Sequence, residues 1–424
     1  MTIDLLYGRG TIALDLPPGA EATVVRKRPL APLADPELAV RKAYEHPLGC
    51  APLAQLAQGR RTACLVICDI TRPVPNGLLL RPMVETLVGA GVAVTVLVAT
   101  GLHRIGDADE EARLIGDAWV HDHVTVVWHV ATDEQSNTDL GATSTGTPVH
   151  LDTRFVEADL RIVLGLVEPH FMAGWSGGRK VIAPGVAGHQ TIRTFHSGRY
   201  MADPNARACN LVDNPLHRDQ LEIVARVGEV YGVDVVLDDE RRVVHVSFGD
   251  IRESHAAAVA VAEESCVVDL GRRFSTVVTT SAGQPLDLTY YQTIKGIVCA
   301  LGILAPGGTL IIASECAEGL GSPHFREAQR RLVEAGHVGF IEGVLPKPLA
   351  DIDEWQTQKQ AQAMSAGTVQ LFTSMNESDR ADTGVECVDS LTEAVAASIA
   401  RHGDPAVAVI PEGPYVIPIS SEDR

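Results

Sequence analysis

The sequence predicts an α/β protein of two domains with mostly parallel sheets flanking a central cleft. The chain is 424 residues long, enough for two hydrophobic cores. Its residues are 46% hydrophobic but only 4% aromatic, which suits Val-, Ala- and Leu-rich strands covered by helices. Short continuous apolar runs alternate with amphipathic stretches, as in parallel strands joined by helical crossovers.

The elements follow in order. Residues 5–7 and 11–16 flank Gly8-Arg9-Gly10 and predict an edge hairpin, closed by Pro17, Pro18 and Gly19. Residues 63–68 form a continuous apolar run, the mark of a strand buried on both faces, and it stops at Asp69. Arg72 and the prolines at 73 and 75 enforce a loop, after which residues 78–89 read as an amphipathic helix. A second strand, 92–99, stops at Thr100-Gly101-Leu102-His103-Arg104, and a third, 161–166, at Glu168-Pro169-His170. In open parallel sheets the ligand crevice lies outside the carboxyl ends of the strands. Asp69, Arg72, His103, Arg104 and His170 are therefore expected to meet.

Residues 211–228 predict a helix introduced by Asn214-Pro215, 233–237 and 243–248 a hairpin, and 254–264 another helix. A polar boundary near 268–275 divides the chain into an N-terminal catalytic and cofactor-binding domain, 1–270, and a C-terminal α/β domain, 271–424. In the latter, strands are expected at 276–280, 309–313, 368–373 and 406–410, with a helix over 289–304.

The block from Glu168 to Lys180 is the densest in chemistry. Gly177 and Gly178 permit a tight bend beside Arg179 and Lys180, so amides and cations can converge on an anion. Lys180 is either a phosphate clamp or a covalent attachment point; the plainer reading is a surface turn with a capping lysine. His170 and His196 are candidates for proton transfer or metal ligation. In the C-terminal domain Gln292 and Lys295 stand at i and i+3, neighbours on one helical face beside Tyr291. Trp355 follows a loop containing Pro346 and Pro348, where it can lid a cleft.

Composition excludes several classes. The formal charge of −19 argues against nucleic acid and anionic membranes as partners. In so acidic a chain, Arg72, Arg104, Arg179 and Lys180 imply either salt bridges or an anionic ligand. No apolar run reaches a membrane span, and the first residues lack a signal-peptide pattern, so a cytoplasmic protein is expected. The 8 cysteines form no Cys-x-x-Cys and read as structural thiols.

Together these motifs resemble the lactate racemase family, the nickel-pincer-nucleotide-dependent 2-hydroxyacid racemases and epimerases. The matching pieces are Asp69 to Pro73, Ala99 to Arg104, Gly141 to Val149, Glu168 to Lys180, His196-Ser197 and Asp203 to Arg207. Pro285 to Asp287, Tyr291-Gln292, Lys295-Gly296, Trp355 and Pro411 to Gly413 complete the series, in order along nearly the whole chain.

The resemblance implies an isomerase with an active-site cleft between two domains. It implies that Lys180 forms a thioamide link to the cofactor, a pyridinium-3-thioamide-5-thiocarboxylic acid mononucleotide carrying nickel, and that His196 ligates the metal. His103 and His170 match the acid/base pair. Arg72, Tyr291, Gln292 and Lys295 match positions that bind substrate. Asp69, Arg72, Gly177, Gly178, Arg179 and Trp355 match positions at the cofactor. The implied partners are a small 2-hydroxyacid and, transiently, the nickel-insertion and sulfur-transfer proteins that mature the cofactor.

Ile70 stands where a polar residue is usual, Trp175 where phenylalanine is, and residues 105–107 lack the usual proline. These departures bear on the substrate side chain, since the family spans lactate, malate, aryl-lactates and sugar acids. Two other readings use the same residues. One is a zinc hydrolase or lyase built on His103, His170 and His196; the other is a nucleotide-binding sensor without turnover.

Overall fold

A computed structural model describes residues 1–421. The chain forms two compact units, and it crosses between them several times. One comprises Pro29–Phe195 and Asn210–Glu264; the other comprises Met1–Arg28, His196–Cys209 and the chain from Ser265 onward. The crossing at Ser265 falls near the boundary expected from composition.

The first unit is built on a six-stranded sheet. Its spatial order is Val243–Asp250, Tyr231–Leu237, Leu160–Leu166, Thr62–Cys68, Ala93–Ala99 and Thr125–Trp128. All neighbours are parallel except the hairpin of the first two strands. Leu65, Ile67, Val96, Val98, Ile162 and Leu164 are fully buried, and Leu79, Leu80, Met83, Val84 and Leu87 of helix Asn76–Gly89 close over them. Burial on both faces is why these strands read as unbroken apolar runs. Chain order matters for the site. From Thr62–Cys68 the chain winds outward through Ala93–Ala99 and Thr125–Trp128, then returns to the opposite side of the first strand as Leu160–Leu166. That reversal is a topological switch point, where adjacent loops diverge and leave room for a ligand.

The second unit also holds a six-stranded sheet, parallel throughout: Glu386–Val388, Thr368–Phe372, Leu304–Ala313, Phe274–Thr280, Ala406–Ile410 and Glu21–Val24. Its core gathers Val277, Ile294, Ile297, Leu310, Ile312, Leu371 and Ala408 with Tyr290 and Phe325. The expected N-terminal hairpin is present as Thr2–Tyr7 and Gly10–Asp15, in register Tyr7 to Gly10. The helix expected over 289–304 is shorter, Tyr290–Ala300, because Leu304 is needed to pair with Phe274. Among the described residues no helix is long and apolar enough to cross a membrane.

Candidate active site

At the carboxyl edge of the first unit's sheet, where Cys68 pairs with Ala99 and Val66 with Val163, two of the expected residues meet directly, Asp69 and His103. Asp69 follows the first of these strands directly. Its Oδ2 lies 2.6 Å from His103 Nδ1, while its Oδ1 accepts from both the amide and the hydroxyl of Thr71. Burial works to raise the Asp69 carboxyl, but the hydrogen bonds from His103 and Thr71 prevail and hold it below the ordinary carboxylate range. An ionised carboxylate only accepts, so His103 carries a proton on Nδ1 and, when neutral, a lone pair on Nε2. The His103 side chain is 61% exposed, so this nitrogen is open to a substrate.

His170 is arranged the other way round. Its Nδ1 accepts from the amides of Ala173 at 3.1 Å and Met172 at 3.5 Å. The neutral ring therefore bears its proton on Nε2. Arg72 forms an ion pair with Glu168, which ties the loop after Thr62–Cys68 to the loop after Leu160–Leu166. Burial pushes the Cys68 thiol up to about 11, while the cations of Arg72 and Lys180 pull it down. Both cations are thus near the end of strand Thr62–Cys68. Arg104 takes the plainer role, pairing with Glu110 at 3.0 Å on an exposed side chain.

The Gly177-Gly178 turn faces inward, contrary to the anion cradle expected from its sequence. Gly177 and Gly178 have φ of +75° and +47°. The Gly178 amide donates to the buried Asp234 Oδ1 at 2.8 Å, so it is not offered to an anion. Arg179 is buried; it donates to Trp175 O at 3.0 Å and Ala173 O at 2.7 Å, its Nη1 also lies 2.9 Å from His255 Nε2, and its Nε has no hydrogen-bond partner. A guanidinium bonded to carbonyl oxygens in this way holds the turn. What the turn delivers is Lys180, the half-buried residue that follows. A Cβ on Gly177 would lie 2.6 Å from Val167 Cγ2 and 2.7 Å from Asp234 Oδ1. Gly177→Ala is expected to cost roughly 3 kcal/mol through strained φ and overpacking, measurable by denaturant unfolding. A loss below about 0.5 kcal/mol would mean the turn adapts.

The remaining candidates belong to the other unit. The His196 ring lies against Trp355, centroids 4.3 Å apart and the planes tilted by 41°. Tyr291, Gln292 and Lys295 occupy the first turns of helix Tyr290–Ala300. The Tyr291 hydroxyl is pushed up by burial, and Gln292 Oε1 is buried without a hydrogen-bond partner. Helix Glu354–Ala366, which carries Trp355, also buries Lys359, whose Nζ donates to Met201 O and Ala206 O, both at 2.9 Å.

Burial pulls the Lys359 ammonium down to about 8, against 10.5 for an ordinary lysine; the charge of Asp203 opposes the shift. Between those values the unfolded chain binds the extra proton. Stability is therefore expected to rise by roughly 3 kcal/mol as pH goes from about 8 to about 10.5. Lys359→Met should flatten that rise in urea titrations at the two ends of the range; an unaltered rise would assign it to another group.

Three functional positions escaped the sequence. Glu168 was quoted only as part of a motif, not as the partner of Arg72. Thr71 gave no signal. Asp234 did give one: a lone acid within the otherwise buried apolar strand Tyr231–Leu237. Among the described residues, no group of three or more His, Cys, Asp or Glu side chains is placed to hold a metal ion. A metal held mainly by an organic ligand, with one imidazole from the protein, needs no such cluster. Each unit holds groups that could take part in holding such a ligand: in one, a lysine delivered by a glycine turn; in the other, a histidine ring against a tryptophan and the orphaned Gln292 Oε1.

Comparison with known proteins agrees with this geometry. Residues 7–209 match the lactate racemase N-terminal domain and residues 272–418 the lactate racemase C-terminal domain. The chain is 29% identical to the lactate racemase of Thermoanaerobacterium thermosaccharolyticum over 98% of each sequence. It is 30% identical to that of Lactiplantibacillus plantarum over 89% of this chain and 90% of the other. The solved lactate racemase apoprotein from T. thermosaccharolyticum superposes with a TM-score of 0.91, covering 99% of this chain and 100% of that one at 28% identity. A Thermotoga maritima protein shares the fold alone, with a TM-score of 0.64 at 16% identity. Two matched domains spanning most of the sequence, with relatives aligned nearly end to end, establish that this chain belongs to the lactate racemase family.

Proposed function

We propose that this chain is an isomerase that inverts C2 of a small 2-hydroxyacid by moving hydride away from that carbon and back, with His103 and His170 as the acid/base pair. The observation that carries the reading is the opposed hydrogen bonding of the two imidazoles: Nδ1 of His103 faces the Asp69 carboxylate, and Nδ1 of His170 accepts from the amides of Ala173 and Met172. The C2 hydrogen of a 2-hydroxyacid is a poor acid because the neighbouring carboxylate is already negative. Its loss as hydride, coupled to loss of the hydroxyl proton, is the easier route to a planar 2-keto acid. When bound, a nickel-pincer nucleotide supplies the hydride acceptor that no side chain provides.

This chain's residues would supply the rest. His103 Nε2 takes the hydroxyl proton, and Asp69 steadies the imidazolium that forms. The Nε2–H of neutral His170 can hydrogen-bond that oxygen; the proton needed when hydride returns to the other face comes from the ring in its imidazolium form, which ends neutral, while His103 releases its proton to solvent. Arg72, held by Glu168, and Lys295 are assigned to the substrate carboxylate, with Tyr291 and Gln292 beside them. Lys180 would hold the cofactor covalently and His196 would ligate nickel, next to Trp355. The Gly177-Gly178 turn and Arg179 act by presenting Lys180.

The test is a panel of single-enantiomer 2-hydroxyacids, run in D2O on protein co-expressed with the maturation proteins and nickel, and read by chiral chromatography and mass spectrometry. The opposite enantiomer should appear with its C2 hydrogen retained. Deuterium at C2 would rule out the hydride route. No inversion of any acid by protein shown to carry nickel and pincer would sink the reading.

A further inference from the structure

Helix Glu354–Ala366 is polar almost throughout, yet residues 354 to 361 are all buried. A helix without an apolar stripe belongs in an interior only if its side chains find partners there. Here they do, and the partners sort by face. Trp355, Gln358, Lys359 and Gln362 stand at i, i+3, i+4 and i+7, a single helical face. Trp355 meets the His196 ring. Gln358 Nε2 donates to Gly198 O at 3.0 Å, and Gln362 Nε2 to Met201 O at 2.7 Å. Lys359 Nζ donates to Met201 O and Ala206 O. All four side chains thus address the segment His196–Cys209, which belongs to the same unit.

The ammonium also sits at the carboxyl end of the short helix Gly198–Ala202, where a cation suits the exposed carbonyl oxygens. Burying a lysine without a carboxylate at hydrogen-bond distance is costly, and two of its three N–H donors go to main-chain carbonyl oxygens. On the opposite side of the helix, Gln356 Nε2 donates to Tyr291 O at 2.9 Å, and Gln360 Nε2 to Thr383 O at 2.6 Å. The helix is therefore pinned from two directions while it grips the segment behind His196.

We propose that Lys359, flanked by Gln358 and Gln362, is a positioning residue for His196. It fixes the backbone that presents the imidazole, and so sets how firmly that imidazole retains the metal. The assignment rests on the proposed role of His196 as nickel ligand.

The experiment uses Lys359→Met protein, co-expressed with the maturation proteins and nickel, beside the parent and His196→Ala. Nickel loss to EDTA is followed by metal analysis and by the cofactor absorption band, amide exchange by mass spectrometry, and the cofactor mass at Lys180 as a loading control. Lys359→Met should keep that mass, exchange faster at 197–207 but not at 290–300, and release nickel on the order of ten-fold faster than the parent. His196→Ala should release nickel at least as fast. Faster amide exchange with unchanged nickel release would overturn the proposal and leave Lys359 a purely structural role. Unchanged nickel release from His196→Ala would remove the ligand on which the proposal rests. Parent protein lacking both nickel and cofactor mass would bring down the proposed function itself, and this assignment with it. Should Lys359→Met fail to fold, Gln358→Leu removes one donor of the same face and is judged by the same two rates.

Discussion

His103→Gln is expected to slow inversion by roughly 10²- to 10⁴-fold in fully loaded protein, and Asp69→Asn by a factor in the same range. Glutamine keeps much of the bulk of the ring but has no titratable nitrogen. The Asp69 prediction follows from hydrogen-bond polarity. Oδ1 of Asp69 faces two donors on Thr71, and Oδ2 faces His103 Nδ1. Asparagine has one acceptor and one donor end. If its oxygen faces His103, its NH2 opposes the Thr71 amide, donor against donor. If its NH2 faces His103, Nδ1 must accept, the ring proton moves to Nε2, and the lone pair that takes the hydroxyl proton is gone. Either orientation breaks the pair. Chiral chromatography gives the rates; metal and intact-mass analysis confirm loading. Parent-like turnover in loaded Asp69→Asn would show that His103 needs no fixed tautomer.

The edge of the first sheet was legible because each unbroken apolar run stops at a polar residue. Asp69, His103 and His170 stand within a few residues of the ends of strands Thr62–Cys68, Ala93–Ala99 and Leu160–Leu166. Parallel pairing then brings those ends to one edge. The direction of Arg179 was not legible. Two glycines beside two cations suggest an anion cradle, and nothing local marks the carbonyls of Trp175 and Ala173 and the ring of His255 as the partners of the guanidinium. The path of the chain was hidden for a different reason. Strand Glu21–Val24 pairs with Ala406–Ile410, and segment His196–Cys209 belongs with the C-terminal sheet. Hydrophobic periodicity is a local signal and carries no record of such distant pairings. Helix Glu354–Ala366 was invisible for the same kind of reason: it buries amides against carbonyl oxygens, so no apolar stripe marks it.

Lys180→Ala should be more severe than either change at the acid/base pair, with inversion lost to the detection floor. The bonds that hold the glycine turn come from its neighbours. The turn is held by the Gly178 amide on Asp234 and by Arg179 on the carbonyls of Trp175 and Ala173, none of which uses the Lys180 side chain. The Lys180 amide bond to Gly177 O survives in alanine. What disappears is the amine, and with it the proposed attachment point for the hydride acceptor. Lys180→Arg separates charge from attachment, because it keeps a cation but replaces the amine with a guanidinium that does not deprotonate in proteins. Both variants should lack the cofactor-sized mass carried by co-expressed parent protein, and both should be inactive. Activity or cofactor mass preserved in Lys180→Arg would reduce the lysine to an electrostatic contact. Either preserved in Lys180→Ala would dissociate the glycine turn from the cofactor altogether and return it to a purely structural role.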